Sequence, residues 1–328
     1  MSKFGVKILG TGSSVPDKIL TNSELEKMVQ TTDEWITSRT GIKERRIADK
    51  NTATSDLAIG AAKKALAEAK IKPEELDAII VATITPDMFF PSTACLIQKA
   101  INAKNAFTFD LSAACSGFIY GLAVAKNFIE NGFCKNILLI GAETLSKITD
   151  WKDRNTSVLF GDGAGAMVLS RSETENNILS VYLGADGTYA DLLYLPGGGS
   201  RNPSTEETVK NRMHYIKMEG KEVFKVAIIK MIEAAQKALD LAKIKCEEIS
   251  LLIPHQANLR IIEAITKRMG LPKEKVFVNL HKYGNVSAAT TIIAFDEALK
   301  EGKVKKGDIV ELVAFVGGFT WASAVLKI

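Results

Sequence analysis

The feature that most constrains this chain of 328 residues is an internal repeat. Residues 106–143 pass from a strand pattern through a small-residue loop into a helix and a second strand, and residues 276–315 follow the same course. Each half then closes on a glycine-rich segment and an apolar strand, at 161–170 and 317–328. This repetition predicts two similar α/β halves, which we place at residues 1–173 and 174–328.

Strand and helix patterns alternate along both halves. Short apolar runs predict strands at 77–85, 136–143, 166–170, 250–255 and 309–316. Longer periodic segments predict helices at 54–70, 92–102, 116–131, 219–242, 256–269 and 287–301. This alternation is typical of an α/β protein whose sheet is covered on both faces and is largely parallel.

Composition excludes several classes of protein. The chain is 46% hydrophobic and 24% charged, which is typical of a globular protein, and no segment approaches the roughly 20 apolar residues of a membrane span. The N-terminal segment lacks the apolar core of a secretory signal, so we expect a cytoplasmic protein. A net charge of +4 is too small to predict nucleic-acid binding, although a concentrated positive patch would suit an acidic partner.

One of the four cysteines has an unusual setting. Cys95, Cys115, Cys134 and Cys246 form no C-x-x-C pair and show no metal-site spacing. A lone cysteine is more often an inert buried side chain than a nucleophile. Cys115, however, lies among small residues where the helix of the first half begins, and a helix N-terminus favours the thiolate that nucleophilic catalysis requires.

Two polar residues of the second half have comparable settings. His255 ends a predicted strand, and Asn285 lies where the helix of the second half begins, at a place that we match with Cys115 in the first half. Open α/β sheets bind ligands at such positions. Taken alone, Asn285 would be a helix cap and His255 a hydrogen-bonded histidine at a strand end. Together with Cys115 they predict a site for nucleophilic catalysis.

Three other segments have two interpretations each. The glycine-rich residues 161–165 lack the G-x-G-x-x-G spacing and precede a strand, so we predict a turn between strands rather than a phosphate loop. Trp35 and Arg39 share a helical face, where they either bind a flat base and a phosphate or cover the core beside solvent. Arg260 and Lys267 share another face, which is either ordinary surface or a docking patch for an acidic partner.

Six motifs in family order resemble β-ketoacyl-[acyl-carrier-protein] synthase III, the initiating condensing enzyme of type II fatty acid synthesis. They are AACSGF, PHQANLRII, YGNVSAA, FGDGAGA, TSRTGI and the terminal GGFTWASA. The resemblance implies a thiolase-like α/β fold, in which two duplicated α/β halves form five layers in the order αβαβα. It also implies a homodimer.

The resemblance further implies a reaction in two halves with Cys115, His255 and Asn285 as catalytic residues. Cys115 would take the acyl group of a short acyl-CoA, with acetyl-CoA as the expected primer, and CoA would leave. Malonyl-acyl-carrier protein would then lose CO₂, and its enolate would attack the acyl-cysteine to give 3-oxoacyl-acyl-carrier protein. His255 and Asn285 would donate hydrogen bonds to the malonyl thioester oxygen, while N–H groups of Cys115 and Gly317 would form the oxyanion hole.

Binding residues are implied by the same resemblance, and no cofactor or metal is expected because the CoA thioester is a substrate. CoA binding is implied for Thr31, Trp35, Arg39, Arg154, Gly220, Phe224 and Asn258. Binding of the acyl-carrier protein is implied for Gln256, Ala257, Asn258, Leu259, Arg260 and Lys267, and Phe90 would reach the partner's acyl pocket across the dimer. Two positions depart from the family pattern: Val316 replaces a usual glycine beside the acyl pocket, and Lys221 replaces a usual asparagine beside the CoA tunnel.

Four alternative functions can be compared with this one through the residues that they require. A degradative thiolase would carry a second cysteine in the C-terminal glycine-rich loop, and a hydroxymethylglutaryl-CoA synthase would carry a catalytic glutamate that cannot be placed in this sequence. A synthase of secondary metabolites would keep the same motifs. A catalytically silent protein that binds CoA or carrier protein would have no need of Cys115, His255 and Asn285 together. Primer preference depends on pocket shape, because one methylene changes discrimination by only about 1–3 kcal/mol.

Overall fold

The computed structural model describes residues 3–316 and 319–328. In that part of the chain there are thirteen strands: β1 (Gly5–Ser14), β2 (Ile19–Thr21), β3 (Glu44–Arg46), β4 (Ala78–Ala82), β5 (Phe107–Leu111), β6 (Asn136–Thr144), β7 (Asp162–Ser172), β8 (Ile178–Ala185), β9 (Leu193–Tyr194), β10 (Lys217–Met218), β11 (Leu251–Pro254), β12 (Ile309–Val316) and β13 (Thr320–Lys327).

The same residues form eleven α-helices: α1 (Asn22–Leu25), α2 (Asp33–Thr40), α3 (Thr54–Ala69), α4 (Thr93–Ile101), α5 (Gly117–Glu130), α6 (Arg154–Ser157), α7 (Glu206–Lys210), α8 (Gly220–Ala242), α9 (Leu259–Met269), α10 (Leu280–Tyr283) and α11 (Thr290–Lys300). Two 3₁₀ turns, Ala114–Ser116 before α5 and Ser287–Ala289 before α11, shape the functional site.

The two main sheets have the same strand order. The first sheet has the order β1-β7-β6-β4-β5, and the second has the order β8-β13-β12-β11. A parallel bridge between Leu252 and Val276 continues the second sheet beyond β11, at the place that β5 takes in the first. The repeat seen in the sequence therefore corresponds to two copies of one topology.

Strand directions differ from the sequence prediction, because the sheets are mixed rather than largely parallel. β4 pairs in parallel with β5 and β6, and β11 pairs in parallel with β12. The pairs β6–β7, β7–β1, β12–β13 and β13–β8 are antiparallel. A short connection forces this arrangement between β12 and β13, since a hairpin can join only antiparallel neighbours. Apolar runs predict burial on both faces, but they carry no information on strand direction.

The glycine-rich segment 161–165 is also placed differently from the prediction. Asp162 begins β7, so the segment belongs to a long buried strand instead of a turn between strands. Close packing explains the small residues, because a Cβ atom on Gly165 would lie only 2.5 Å from Cγ2 of Ile292 on α11. The glycine thus allows a helix of the second half to pack directly on a strand of the first.

The helices form three layers around the two sheets. α3 packs on the outer face of the first sheet and α8 on the outer face of the second, while α5 and α11 lie between the sheets and contact strands of both. The chain therefore has the thiolase-like five-layer αβαβα fold. Phe118 of α5 and Phe295 of α11 are fully buried in the central layer, where the largest apolar cluster forms.

Most helix predictions agree closely with the structure, and one difference has a clear local cause. The helix expected at 256–269 begins at Leu259, because Oδ1 of Asn258 accepts the backbone N–H of Arg260 at 2.9 Å and caps the helix. Within the described residues, none of the helices has the length and apolar character that a membrane crossing requires.

Candidate active site

A cavity of about 470 Å³ brings Cys115, His255 and Asn285 together in its wall. Cys115 comes from the 3₁₀ turn before α5, His255 directly follows β11, and Asn285 lies in the loop before α11. The two 3₁₀ turns are in contact with each other between the sheets. The structure therefore joins three residues that are separated by up to 170 positions in the sequence.

The turn that carries Cys115 depends on small side chains. Ala114 has a φ angle of +43°, in the left-handed region that side chains rarely adopt. Cys115 itself is 6% exposed, and Ser116 is fully buried, with its hydroxyl donating to the backbone oxygen of Thr320 at 3.1 Å. The small residues of this motif thus serve a tight turn that is packed between the two sheets.

The thiol of Cys115 carries its proton in this cavity. Burial raises the pKa of the Cys115 thiol to about 12, an effect that the Ser287 hydroxyl opposes and that the nearby carboxyl of Glu143 strengthens. The expectation that the helix N-terminus would favour a thiolate is therefore wrong for the resting site. The largest cause is the loss of solvent around the sulfur, which disfavours the charged thiolate.

His255 is a neutral imidazole held between α11 and β12. Burial lowers the pKa of the ring to about 3, and the side chain is 5% exposed. Its Nδ1 atom lies 2.6 Å from Oγ1 of Thr290, and its backbone N–H donates to the oxygen of Val313 at 2.7 Å. The contact with Thr290 thus orients the ring, and the bond to Val313 fixes the main chain that carries it.

The amide of Asn285 is oriented by backbone contacts. Oδ1 accepts the N–H of Ser287 at 2.9 Å, so Nδ2 is the part of the amide that can donate to a ligand. The main chain of Asn285 is tied down by its N–H donating to Leu159 O at 2.9 Å and its own oxygen accepting from Gly161 N–H at 3.0 Å. The interpretation of Asn285 as a helix N-cap is wrong, because Val286 is the N-cap of the 3₁₀ turn and Ala289 is the N-cap of α11. The bond from Ser287 N–H to Oδ1 leaves Nδ2 for a donor role.

The expected match between Cys115 and Asn285 is wrong in register. The two 3₁₀ turns share the same backbone, with φ angles of +43° at Ala114 and +45° at Ser287. Counting from these residues, the counterpart of Cys115 is Ala288, whereas Asn285 corresponds to Ser112. The sequence pattern located both helix starts, but it could not align them without the turn geometry.

Sequence reasoning missed Glu143, a fully buried residue of β6. Its carboxylate accepts hydrogen bonds from Oγ1 of Thr85 at 2.5 Å, from Oγ1 of Thr83 at 3.2 Å and from the N–H of Ile84 at 3.2 Å. Burial raises the pKa of this carboxyl to about 7. The available signal was a single acidic residue inside an otherwise apolar strand.

Trp35, Arg39 and Arg154 form a surface cluster where α2 meets α6. The guanidinium carbon atoms of Arg39 and Arg154 lie 4.8 Å and 4.7 Å from the centre of the Trp35 ring system. The predicted shared face of Trp35 and Arg39 is therefore present. Nearby, Oγ1 of Thr31 is buried and has no hydrogen-bond partner within residues 3–316 and 319–328.

The residues expected to line a pantetheine tunnel share the cavity with Cys115, His255 and Asn285. Gly220 and Phe224 of α8 and Asn258 all contribute to its wall. Asn258 differs from expectation in one respect, because Nδ2 already donates to Arg39 O at 3.1 Å while Oδ1 caps α9. Lys221 is exposed at the start of α8.

Gln256 has an internal role in place of the predicted surface contact. It is 1% exposed, and its Nε2 donates to the backbone oxygens of Pro254 and Phe277 at 2.7 Å and 3.1 Å. Its Oε1 accepts the N–H groups of Asn279 and Leu280 at 3.0 Å and 3.2 Å. These four bonds link the end of β11 to the loop before α10, and they leave nothing for a partner protein.

The other residues predicted to bind a carrier protein lie around the start of α9. Ala257 and Leu259 are partly buried, and Leu259 packs against Gly41, where a Cβ atom would lie 2.6 Å from that of Leu259. Arg260 and Lys267 are exposed on α9, and the Arg260 guanidinium lies 5.6 Å from the ring centre of Phe224 at the cavity wall.

The remaining predicted positions are Phe90, Val316 and Gly317. Phe90 is 85% exposed, and the neighbouring Phe89 and Met88 are 82% and 47% exposed. Val316 ends β12 and lines the cavity. Gly317 lies outside the described residues, so its oxyanion-hole role stays a prediction.

The five-layer fold and a cavity lined by a cysteine, a histidine and an asparagine define a thiolase-like condensing enzyme. The family model 3-Oxoacyl-[acyl-carrier-protein (ACP)] synthase III matches residues 109–187, and the model of its C-terminal region matches residues 239–328. A beta-ketoacyl-[acyl-carrier-protein] synthase III of Caldanaerobacter subterraneus subsp. tengcongensis is 61% identical, over 99% of this chain and 98% of the relative. The chain belongs to the beta-ketoacyl-[acyl-carrier-protein] synthase III family of acyltransferases.

Solved structures of relatives share the fold over nearly the whole chain. The crystal structure of the 3-oxoacyl-[acyl-carrier-protein] synthase III from Aquifex aeolicus superposes with a TM-score of 0.92 at 53% identity, covering 99% of this chain and 100% of that one. The priming beta-ketosynthase from the R1128 polyketide biosynthetic pathway gives a TM-score of 0.92 at 33% identity, covering 99% and 97%.

Proposed function

We propose that this protein condenses a short acyl-CoA, most favourably acetyl-CoA, with malonyl-acyl-carrier protein, and so initiates type II fatty acid synthesis. The products are 3-oxoacyl-acyl-carrier protein, CoA and CO₂. The reaction is ping-pong through an acyl-Cys115 intermediate and uses no cofactor or metal. The observation that carries this proposal is the cavity wall shared by Cys115, His255 and Asn285.

The first half-reaction is acyl transfer to Cys115. The thiol must lose its proton as the sulfur attacks the thioester carbon, because a thiol whose pKa is raised to about 12 is a poor nucleophile. His255 is neutral and lines the same cavity, so it can accept that proton and return it to the departing CoA sulfur. Burial disfavours the charged form of both groups, so the proton moves as the bond between sulfur and carbon forms and no free thiolate is needed. The imidazolium that results is balanced by the negative charge that develops on the thioester oxygen.

The second half-reaction is decarboxylative condensation. Loss of CO₂ from the malonyl thioester builds negative charge on the thioester oxygen. Nδ2 of Asn285 is an oriented donor for this oxygen, and His255 supplies the second donor when Nε2 carries a proton. The enolate carbon then attacks the acyl-cysteine, and the Cys115 sulfur leaves and takes up a proton.

CoA binding is proposed at the entrance to the cavity. The guanidinium carbon of Arg154 lies 4.7 Å from the centre of the Trp35 ring. A flat adenine would enter by separating these two side chains and would then be held on both of its faces. Arg39 supplies charge for a phosphate, and the unpartnered hydroxyl of Thr31 suits a ring nitrogen. Gly220, Phe224 and Asn258 would line the pantetheine path to Cys115.

The acyl pocket is proposed in the apolar part of the cavity. Its wall includes Ile84, Leu145, Leu193, Ile216 and Phe315, which exclude water from the acyl chain. Val316 also lines this wall, and we propose that its side chain limits the length of the primer so that acetyl-CoA is favoured over longer acyl-CoA molecules. Comparing initial rates with acetyl-, butyryl- and octanoyl-CoA tests this preference.

Two surfaces are proposed to bind proteins. Arg260 and Lys267 lie about two helical turns apart on the exposed face of α9. We place them next to the cavity entrance, where they suit an acidic carrier protein. The exposed Met88, Phe89 and Phe90 suit a homodimer interface that brings Phe90 towards the partner's acyl pocket. Sedimentation of the intact protein would detect the dimer, and a monomer at micromolar concentration would contradict it.

Intact-protein mass spectrometry after incubation with acetyl-CoA tests the central proposal. We expect one acetyl adduct on the native protein and none on the Cys115→Ala variant. Cys246→Ala is the matched control, because Cys246 lies outside the cavity wall and its loss should leave the adduct in place. The proposal would be wrong if no adduct formed with any short acyl-CoA, or if the adduct still formed in Cys115→Ala.

Charge reversal on α9 tests the docking surface. Arg260→Glu should reduce turnover with malonyl-acyl-carrier protein while the rate of acetyl-adduct formation stays unchanged. Lys303→Glu, at an exposed position after α11, is the control for the change in net charge. Equal loss in both half-reactions would show that Arg260 acts on the site itself and not on the carrier protein.

A priming role in polyketide synthesis is the second candidate, supported by the 33% identical priming ketosynthase. The relatives named beta-ketoacyl-[acyl-carrier-protein] synthase III reach 61% identity, which favours fatty acid synthesis. The rate with the host's fatty-acid carrier protein discriminates the two roles.

A further inference from the structure

Thr290 is a buried residue beside the catalytic histidine for which the sequence motifs suggested no role. It is the first residue of α11 and is 3% exposed. Its hydroxyl has two neighbours: Nδ1 of His255 lies 2.6 Å from Oγ1, and the backbone oxygen of Ser287 lies 3.0 Å from it. Both distances are those of hydrogen bonds.

These two contacts define where the His255 proton lies. A carbonyl oxygen only accepts, so the Thr290 hydroxyl must use its single proton to reach Ser287 O. The contact to His255 can then form only if Nδ1 carries a proton and donates it to Oγ1. Both hydrogen bonds exist together in the Nδ1–H tautomer, and one of them is lost in the Nε2–H tautomer.

The groups that share the cavity wall with His255 favour the same tautomer. The thiol of Cys115 is protonated, and the Asn285 amide offers its Nδ2 group because Oδ1 is taken by Ser287 N–H at 2.9 Å. Both groups are donors. Among these three groups a lone pair on Nε2 would be the one acceptor, whereas an Nε2–H would make all three of them donors.

We propose that Thr290 is a positioning residue that holds resting His255 as the Nδ1–H tautomer, with the Nε2 lone pair available to take the Cys115 proton. This inference rests on the proposed function. In acyl transfer the Cys115 S–H bond breaks as a bond forms between sulfur and the thioester carbon, and Nε2 gains the proton. When the bond between that carbon and the CoA sulfur breaks, the same proton moves from Nε2 to the CoA sulfur. Nδ1–H stays bound to Thr290 throughout.

The second half-reaction needs the Nε2–H tautomer of His255, and the Thr290 hydroxyl can form a hydrogen bond with either tautomer. The malonyl oxygen is an acceptor, so Nε2 must then carry a proton. Between CoA release and carrier-protein binding the ring therefore gives up its Nδ1 proton to solvent and takes one at Nε2. This exchange leaves the ring charge unchanged and requires the buried contact between Nδ1 and Thr290 to open transiently. The Thr290 hydroxyl then rotates and donates to Nδ1. A valine methyl at this position would satisfy neither form.

Nitrogen chemical shifts test the tautomer without reference to activity. The chain has three histidines, so a protein labelled with ¹⁵N-histidine and carrying His214→Gln and His281→Gln reports on His255 alone. Two-bond ¹⁵N–¹H spectra show which ring nitrogen is protonated. We expect a protonated Nδ1 and a lone pair on Nε2 in the resting protein. A resting ring protonated at Nε2 would overturn the proposal.

Substitutions test the role of the hydroxyl. Thr290→Val should shift the His255 signals away from the Nδ1–H pattern and slow acetyl-Cys115 formation roughly 10- to 100-fold, as expected when a buried polar group loses its partner. Thr290→Ser keeps the hydroxyl and should keep the tautomer and most of the rate. KM for acetyl-CoA should change little, since Thr290 acts through His255.

A matched control exists at the next residue. Thr291 is fully buried, and its hydroxyl has no hydrogen-bond partner among the residues that the structure describes. Thr291→Val should therefore leave both the tautomer and the acylation rate unchanged. Loss of rate in Thr291→Val equal to that in Thr290→Val would contradict a specific role for Thr290. A protein that gives no acetyl adduct yet shows the Nδ1–H signals would refute the proposed function and leave the tautomer assignment standing.

Discussion

The 3₁₀ turns before α5 and α11 occupy equivalent places in the two halves but carry different chemistry. Both begin on a residue with positive φ, +43° at Ala114 and +45° at Ser287, and both lead into a helix between the sheets. In the first half the second residue of the turn is Cys115, and in the second half it is Ala288. The reactive sulfur is therefore present in only one of two matching backbones.

The second turn contributes through the residues on either side of it. Asn285 precedes the turn and offers its Nδ2 group, and Thr290 follows the turn and contacts His255. In the first half the equivalent positions are Ser112 and Gly117, which have much smaller side chains. Under the proposed function one half supplies the nucleophile and the other supplies the hydrogen-bond donors, and the two turns that bring them together have the same backbone conformation.

The largest expected effect is the loss of condensation rate when Asn285, the proposed hydrogen-bond donor, is replaced by alanine. Asn285→Ala should reduce condensation by ~10²–10³, the usual cost of losing one donor to a developing oxyanion. The rate of acetyl-Cys115 formation should fall much less, because Nδ2 acts on the malonyl oxygen. Ser112→Ala, at the matching position of the first half, should change condensation by less than about threefold. Similar losses in both variants, measured with purified carrier protein, would break the proposed division of roles.

A smaller effect is expected where the two halves touch. A Cβ atom on Gly141 of β6 would lie 2.6 Å from the backbone oxygen of Ala288, so Gly141→Ala must displace the second turn. We expect the free energy of unfolding in urea to fall by about 1–3 kcal/mol, together with slower condensation. Gly187→Ala is the control, since a Cβ atom there meets no atom within 4 Å. Unchanged stability of Gly141→Ala would show that the contact between the turns is not tight.

Buried carboxyl groups extend the comparison to the strands. Glu143 lies on β6 of the first sheet and Glu311 on the equivalent strand β12 of the second. Glu143 accepts three hydrogen bonds, whereas Oε2 of Glu311 has no partner in the described part of the chain, and Oε1 accepts from Ser323 at 2.8 Å. Burial raises the pKa of Glu311 to about 8.

The smallest effect is therefore a pH dependence of stability. Between pH 4.5 and about 8 the folded protein keeps the Glu311 proton that the unfolded chain loses, so the free energy of unfolding falls as pH rises through this range. Glu311→Gln should remove this contribution and stabilise the protein at pH 9 by about 1–3 kcal/mol. In Glu311→Gln the free energy of unfolding should still fall with rising pH up to about pH 7, because Glu143 contributes to it in the same way.

Urea unfolding at several pH values provides the measurement for Glu311→Gln. Glu274→Gln, at an exposed position, is the control for losing one carboxylate and should not change the slope. An identical pH slope in native protein and Glu311→Gln would mean that Glu311 is solvated in the folded state.

Much of the fold follows from local patterns in the sequence. Apolar runs identified β4, β6, β11 and β12, and periodic segments identified the six long helices, because burial of one face imposes a regular spacing. The residues of the site were also predictable in kind, since Cys115, His255 and Asn285 each lie at the end of a strand or the start of a helix. The motifs around them were sufficient to indicate the family.

Other properties arise only when distant segments meet. Strand direction, the place of segment 161–165 within β7 and the internal role of Gln256 depend on how the sheets and loops pack, and no local pattern encodes them. The protonated state of Cys115 is a further case: a helix start predicts a thiolate, but burial between the two sheets removes solvent from the sulfur and reverses the preference. The sequence thus contains the reactive groups, whereas packing decides their protonation, their partners and the distances between them, because all three depend on atoms far apart along the chain.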